Sequence, residues 1–215
     1  MLSIIYIKFN ENDTKLYFDR LLKTLPAKWR ENALRYHQIN DKMRSVLARH
    51  LIAFQLMKEG YSFECLNDLR KDKYNKPYID KNLDFNLAHS GEYVICAVNT
   101  DGKIGIDIEK IQPVDVSDFL TSLHENEKKE LELNKGDLIF FYNVWVKKEA
   151  VCKASGVGIT GALNEIDTIP KKINHLGSHW ECIKLNINPD YASYFAAKEP
   201  VTNFQIFEID FNDLL

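Results

Sequence analysis

The chain has 215 residues, of which 45% are hydrophobic and 27% charged, and its formal net charge is −3. That length buries a substantial core in one large domain or two small ones. The composition excludes an intrinsically disordered chain, and the slightly acidic balance excludes a general nucleic-acid binder, which would be basic. Local basic sites for small anionic ligands remain compatible with it.

Ile4-Ile5-Tyr6-Ile7 reads as a short strand. The start, Met1 to Phe9, carries no basic head or long apolar run, so no signal peptide is expected, and no stretch approaches the length of a membrane span. Pro26 opens a helical stretch through Tyr36, and Asn40 or Asp41 caps a longer helix from about Lys42 to Glu59, closed by Gly60. Lys71 to Lys81 is polar, contains Asn75-Lys76-Pro77 and reads as a loop. Tyr93 to Val98 is a continuous apolar run, expected as a buried strand. Thr100-Asp101-Gly102 then signals a turn, and Lys103 to Ile111 is expected to pair back as a hairpin.

Ser117 can cap a short helix over Asp118 to Leu123, and Glu125 to Leu133 continues or restarts it. Asp137 begins a helix to about Ser155, and Gly156, Gly158 and Gly161 loosen the loop that follows. His179 to Ile187, Tyr191 to Lys198 and Phe204 to Asp210 read as strands, with a turn at Asn188-Pro189-Asp190. Helices mixed with antiparallel strands predict an α+β fold. A division near Gly102 gives halves of similar length, 1–102 and 103–215. Cys65, Cys96, Cys152 and Cys182 form no Cys-x-x-Cys pair and lie in apolar stretches, which suits a reduced, cytoplasmic chain.

Three segments carry chemistry. In Ile104 to Glu109, strand alternation sends the three isoleucines to one face and Asp107 and Glu109 to the other, with their Cα atoms roughly 6.5 Å apart. Neighbouring carboxylates repel unless a cation lies between them, and Mg²⁺ favours such oxygen ligands. An exposed strand face with two solvated acids is the alternative. In the helix from Asp137, Leu138, Tyr142, Trp145, Glu149 and Cys152 share a face, so Glu149 interrupts an apolar stripe. A buried carboxylate needs a positive partner. Lys153, four residues on, could supply a helical ion pair, and a metal shared with Asp107 and Glu109 is the sharper reading. Finally, Phe85 to Gly91 places His89 beside Ser90 at the entrance to the buried strand, where strand-end loops hold ligands, and Arg44 lies near the edge of its helix's apolar stripe.

Together these segments resemble the 4′-phosphopantetheinyl transferases, specifically the larger single-chain type that activates peptide and polyketide synthases. Gly105 to Glu109 is similar to that family's Gly-[Val/Ile]-Asp-[Ile/Val]-Glu motif, and Trp145 to Gly156 to its Trp-x-x-Lys-Glu-Ala-x-x-Lys-x-x-Gly motif. Phe85 to Ser90 resembles Phe-Asn-x-Ser-His-Ser with Ala88 for the second-half serine, and Asn75-Lys76-Pro77 resembles a Gly-Lys-Pro loop with Asn75 for glycine. The resemblance implies two similar α+β halves related by a pseudo-two-fold axis, with the active site between them. It implies Mg²⁺ on Asp107, Glu109 and Glu149, and coenzyme A as the substrate. Lys28, Arg44 and His89, with Ser90 beside them, would grip its 3′-phosphate, Lys76 would border the adenine, and Lys148 and Lys153 would meet the pyrophosphate. Glu149, Glu127 or a metal-bound water would take the proton of the attacking serine. The implied partner is an apo acyl- or peptidyl-carrier protein that meets a monomer. Its docking surface would be Ser117 to Lys135, with Leu123, Leu131, Leu133, Lys128 and Lys129, or those leucines are core. A Mg²⁺-dependent phosphoesterase and a non-catalytic coenzyme A-binding module are the alternative functions.

Overall fold

A computed structural model describes all residues except 75, 81, 159–162, 199–200 and 202, and among these five α-helices and ten strands build two four-stranded sheets, each covered by helix on one face, and one two-stranded hairpin. The first strand, Leu2–Lys8 (β1), is buried along almost its whole length because it has neighbours on both faces and both edges. Tyr93–Asn99 (β5) runs antiparallel to it, and Asp84–Ser90 (β4) runs antiparallel to β5. Phe204–Glu208 (β10) adds a parallel edge strand on the other side of β1. Arg70–Lys71 (β2) and Pro77–Tyr78 (β3) make a minimal hairpin. In the second sheet Ile104–Lys110 (β6) pairs antiparallel with Tyr191–Ala197 (β9), which pairs with Ser178–Lys184 (β8), which pairs with Lys172–His175 (β7).

The order β1–β5–β4 in one sheet is repeated as β6–β9–β8 in the other, so the fold is α+β with two sheet-containing halves. Ala27–Leu34 (α2) follows Pro26, and Ile39–Lys58 (α3) lays Val46, Leu47, Leu51 and Leu56 against the first sheet. The second half carries Glu125–Leu133 (α4) and Leu138–Ser155 (α5), the latter packed on β6 and β9. A shared core, including Ile4, Ile95, Ile104, Ile106, Ile108 and Phe195, joins the two sheets.

Several expectations are revised. Glu11–Thr24 (α1) is a helix where the sequence reading placed none. Asn10 caps it, accepting from Asn12 and Asp13 N–H while Asp13 caps Asn10 in return, a reciprocal pattern that marks a helix start. The hairpin from Tyr93 to Ile111 does not form. Both edges of β5 are occupied by β1 and β4, so the turn at residues 100–102 delivers the chain to the other sheet. Phe85 to Ser90 is itself a strand, so His89 sits on β4 rather than in a loop. α3 begins earlier than expected, at Ile39, and Val116–Ser122 is a 3₁₀ turn. The segment from β10 onward returns to the first half, where Phe211 stacks on Tyr17 at 4.3 Å between ring centroids. A cut at 102/103 therefore separates β10 from its sheet. Asn75 and Gly161 lie outside the described residues.

Gly105 is required by the packing of α5 on β6. A Cβ there would lie 2.0 Å from the Ala150 carbonyl oxygen and 2.4 Å from the Ala154 nitrogen, both backbone atoms that cannot step aside. Gly105→Ala is expected to lower the stability to urea by about 1–3 kcal/mol or more, the usual range for overpacking. An unchanged urea midpoint would show that α5 does not press on β6 there.

Candidate active site

The face of β6 that carries Gly105 also carries Asp107 and Glu109, and the isoleucines point the other way into the shared core. Since α5 crosses β6 in direct contact at Gly105, the helix turn there presents Glu149 and Lys153 to the carboxylates. Lys153 Nζ lies 2.6 Å from Asp107 Oδ1 and 3.9 Å from Glu149 Oε2. The first half supplies the opposite wall. Arg44 on α3 is fixed by two bonds to the Gly91 carbonyl, from Nε at 3.1 Å and Nη2 at 2.6 Å, and by Asp41 at 2.6 Å. Ser90 Oγ donates to Glu109 Oε2 at 2.7 Å and accepts from Lys110 N–H at 3.1 Å. Arg44, His89, Asp107, Glu109, Glu149 and Lys153 line one cavity of about 320 Å³ between the halves.

Its electrostatics follow from burial. Desolvation pushes the Asp107 carboxyl above the ordinary range, against the pull of Lys153. Glu109 is also raised, by desolvation and by Asp107, with the Ser90 hydrogen bond opposing. Glu149 is pushed up to about 7, first by desolvation and then by Asp107, with Lys153 opposing. Desolvation alone would lower Lys153, but Asp107 and Glu149 outweigh it and hold the ammonium above its usual value. His89 is lowered by desolvation and by the neighbouring cations Arg44 and Lys153. The cavity thus has an acidic floor with too little positive charge for three ionised carboxylates.

That deficit bears on a divalent cation. Asp107 Oδ2 is buried without a hydrogen-bond partner, and the floor offers only oxygen donors on its acidic side, which suits Mg²⁺. Among the described residues no three acidic, histidine or cysteine side chains are drawn together tightly enough to form a preassembled metal cluster, and Lys153 stands among the carboxylates. The donor chemistry fits the ion, with Asp107 Oδ2 as the atom most in need of it.

Other expected residues are placed elsewhere. Lys148 and Glu127 are not at the cavity. Both are fully buried and paired at 2.7 Å, and Lys148 also donates to the carbonyls of Leu163 and Ile166. Glu127 accepts from His124 N–H and from the Thr168 N–H and hydroxyl, so its oxygens are fully engaged. This pair anchors the segment 163–168 to α4 and α5. Lys28 is exposed beyond the cavity lining, with Nζ 3.4 Å from the Leu69 carbonyl. Lys76 lines an adjoining cavity of about 250 Å³ and is occupied by Asp84 at 2.9 Å and by the carbonyls of Ile104 and Lys153, both at 3.3 Å. Leu123 and Leu131 belong to the core, whereas Leu133 is 76% exposed. Two cations of the lining, Lys71 and Arg49, escaped the sequence reading. Arg49 lies over the Trp29 ring at 4.3 Å with its Nε buried and unpartnered. Its spacing of five from Arg44 turns it off that residue's helix face, and only the fold of the first half returns it to the cavity.

Removing Glu127 would strand a buried ammonium. Glu127→Ala is expected to cost about 3–5 kcal/mol in urea unfolding. Full stability combined with lost activity would instead make Glu127 a participant in the chemistry.

The fold and cavity define a two-halved α+β protein whose second half brings three carboxylates and Lys153, and whose first half brings Arg44, Arg49 and His89, to one cleft. A family model described as "4'-phosphopantetheinyl transferase, N-terminal" matches residues 12–101, and one for the "4'-phosphopantetheinyl transferase superfamily" matches residues 103–198. A 4′-phosphopantetheinyl transferase of Bacillus subtilis is 30% identical over 168 residues, covering 74% of this chain and 72% of the relative. The 4′-phosphopantetheinyl transferase gsp of Aneurinibacillus migulanus is 29% identical over 172 residues, covering 76% and 70%. The 4′-phosphopantetheinyl transferase Sfp of Bacillus subtilis strain 168 is 29% identical over 217 aligned positions, covering 92% of each chain. The chain belongs to the 4′-phosphopantetheinyl transferase family, and within it to the larger, Sfp-like type of enzyme. No helix among the described residues is long and apolar enough to cross a membrane.

Proposed function

We propose that this enzyme transfers the 4′-phosphopantetheine group of coenzyme A to a serine of an apo acyl- or peptidyl-carrier protein, with Mg²⁺, and releases 3′,5′-ADP. What carries the reading is one cavity that gathers Arg44 and His89 from the first half with Asp107, Glu109, Glu149 and Lys153 from the second. A polyanionic substrate spanning the cleft needs cations at one end and a neutralised acidic floor at the other.

Arg44, Arg49 and His89 would hold the phosphate end of coenzyme A. Lys153, half-buried among carboxylates, would turn its ammonium toward the diphosphate oxygens as they arrive. Asp107, Glu109 and Glu149 would hold the Mg²⁺, which when bound supplies charge neutralisation for the diphosphate and the departing oxygen. The serine oxygen of the carrier attacks the pantetheine-side phosphorus, and a phosphoserine ester bond forms. The bond from that phosphorus to the bridging oxygen breaks, and its electron pair leaves with 3′,5′-ADP. The serine proton goes to a base within hydrogen-bond reach, a role that the cavity offers to the Glu149 carboxylate or to a water beside it. Glu127, buried against Lys148, would serve by keeping α4 and α5 in register. Exposed Leu133, with Lys128 and Lys129 on the same helix, offers the carrier a landing surface for an acidic helix. The enzyme would work as a monomer in the cytoplasm.

The test is to incubate the protein with coenzyme A, Mg²⁺ and an apo carrier protein, and to weigh the carrier. The expected result is a gain of one phosphopantetheine, lost on chelation of Mg²⁺. Asp107→Ala and Glu149→Ala are each expected to lower the rate by on the order of a hundredfold or more while circular dichroism stays native. Phosphate-ester turnover without a carrier would point to a phosphoesterase. Coenzyme A binding with no product would point to a binding module.

A further inference from the structure

Among the described residues no backbone ladder joins β4 to β6, although these are the facing edges of the two sheets. Side chains of β4 take the ladder's place. Ile104 N–H donates to Asp84 Oδ2 at 3.0 Å, Ile106 N–H to Asn86 Oδ1 at 3.0 Å, and Lys110 N–H to Ser90 Oγ at 3.1 Å. Each acceptor stands twenty residues before its donor, and each lies on the same side of β4. The series skips only position 88, where Ala88 has no acceptor to offer Ile108. A ladder would lock the strands at the spacing of ordinary sheet pairs, about 4.8 Å. Rungs made of side chains set the spacing by the length of the side chain.

The rungs at the ends are tied into the cleft. Asp84 holds Lys76, which also donates to the Lys153 carbonyl, and Ser90 donates to Glu109. The middle rung, Asn86, is buried and lines only the adjoining 250 Å³ cavity, not the one that holds the acids. Below the seam lies the shared apolar core, and above it the cleft. The position of Asp107 and Glu109 relative to Arg44 and His89 therefore depends on the reach of these side chains.

We infer that Asn86 is a positioning residue. Its carboxamide oxygen sets the distance between the acidic floor on β6 and the cationic wall of the first half, without touching the reacting groups. The inference deepens the transferase reading and rests on it for its kinetic consequence. Misplacing reacting groups by about 1 Å is enough to cost two orders of magnitude in rate.

The test compares the wild-type enzyme with Asn86→Leu, which keeps the volume and loses the acceptor, and Asn86→Asp, which keeps acceptor and reach. Lys76 and Lys153 line the same cavity as Asn86 and would offset the added charge. With coenzyme A, Mg²⁺ and an apo carrier, Asn86→Leu is expected to lower kcat by on the order of tenfold to a hundredfold. Its KM for coenzyme A should stay within about twofold, and Asn86→Asp should restore kcat to within about threefold of wild type. In parallel, hydrogen exchange at the Ile106 amide should quicken by about tenfold or more in Asn86→Leu and not in Asn86→Asp. If Asn86→Leu does not fold, Asn86→Ala takes its place with the same expectations. Wild-type kcat in the variant lacking the acceptor, a loss confined to KM, or an Asn86→Asp enzyme as slow as Asn86→Leu would each overturn the inference. If the wild-type protein transfers nothing, the transferase reading fails by itself. The exchange measurement then decides the seam alone, and equal protection of Ile106 in wild type and Asn86→Leu overturns it.

Discussion

The half-buried ammonium of Lys153 lies 2.6 Å from the Asp107 carboxylate because nothing stands between α5 and β6 at Gly105. That contact is backbone against backbone, so it leaves little slack. It decides which helix turn overlooks the acidic strand, and hence that Glu149 and Lys153 share a cavity with Asp107 and Glu109. The charge pattern follows from it. Three carboxyls with raised proton affinity surround one cation that is held more firmly protonated than usual. A packing constraint without polar character thereby gathers in the cleft a group of ionisable side chains whose proton affinities are all raised.

A fully buried cation shows what the same helix does on its other side. Lys148 is adjacent to Glu149 in sequence but points into the protein, where Glu127 neutralises it and the carbonyls of Leu163 and Ile166 complete its shell. Adjacent residues on a helix lie about 100° apart, so one faces the cleft and the other the interior. α5 is thus held between an open charge cluster that can receive a ligand and a closed one that is already satisfied.

How much of this was legible in the sequence varied with the range of the interaction. The alternation in Ile104 to Glu109 identifies the two faces of β6, and the lone Glu149 in an apolar stripe identifies a carboxylate that needs company, because both signals are local. The α+β class and the long α3 and α5 were readable for the same reason. Strand partners were not. The turn after Asn99 looks like a hairpin turn, and only the prior claim of β1 and β4 on both edges of β5 diverts the chain. Similarly, a Lys-Glu pair in a motif does not say which member is interior, and Lys148 with Glu127 became a structural pair through contacts with residues 163–168. Arg49 reached the cavity by the fold of α3 against the sheet, with no local mark. α1 alone was a local signal overlooked, since Asn10 and Asp13 spell its cap.

The parallel pairing of β10 with β1 also bears on how the molecule comes into being on the ribosome. Leu2 faces Phe204 and Tyr6 faces Glu208, so β1 waits for β10, the last of the ten described strands, before that edge of its sheet is closed. Until then the nascent first half exposes an unpaired strand edge, the kind of surface to which another chain can add itself. Contacts of such separation slow folding, so the covering of that edge should be a late event in biogenesis.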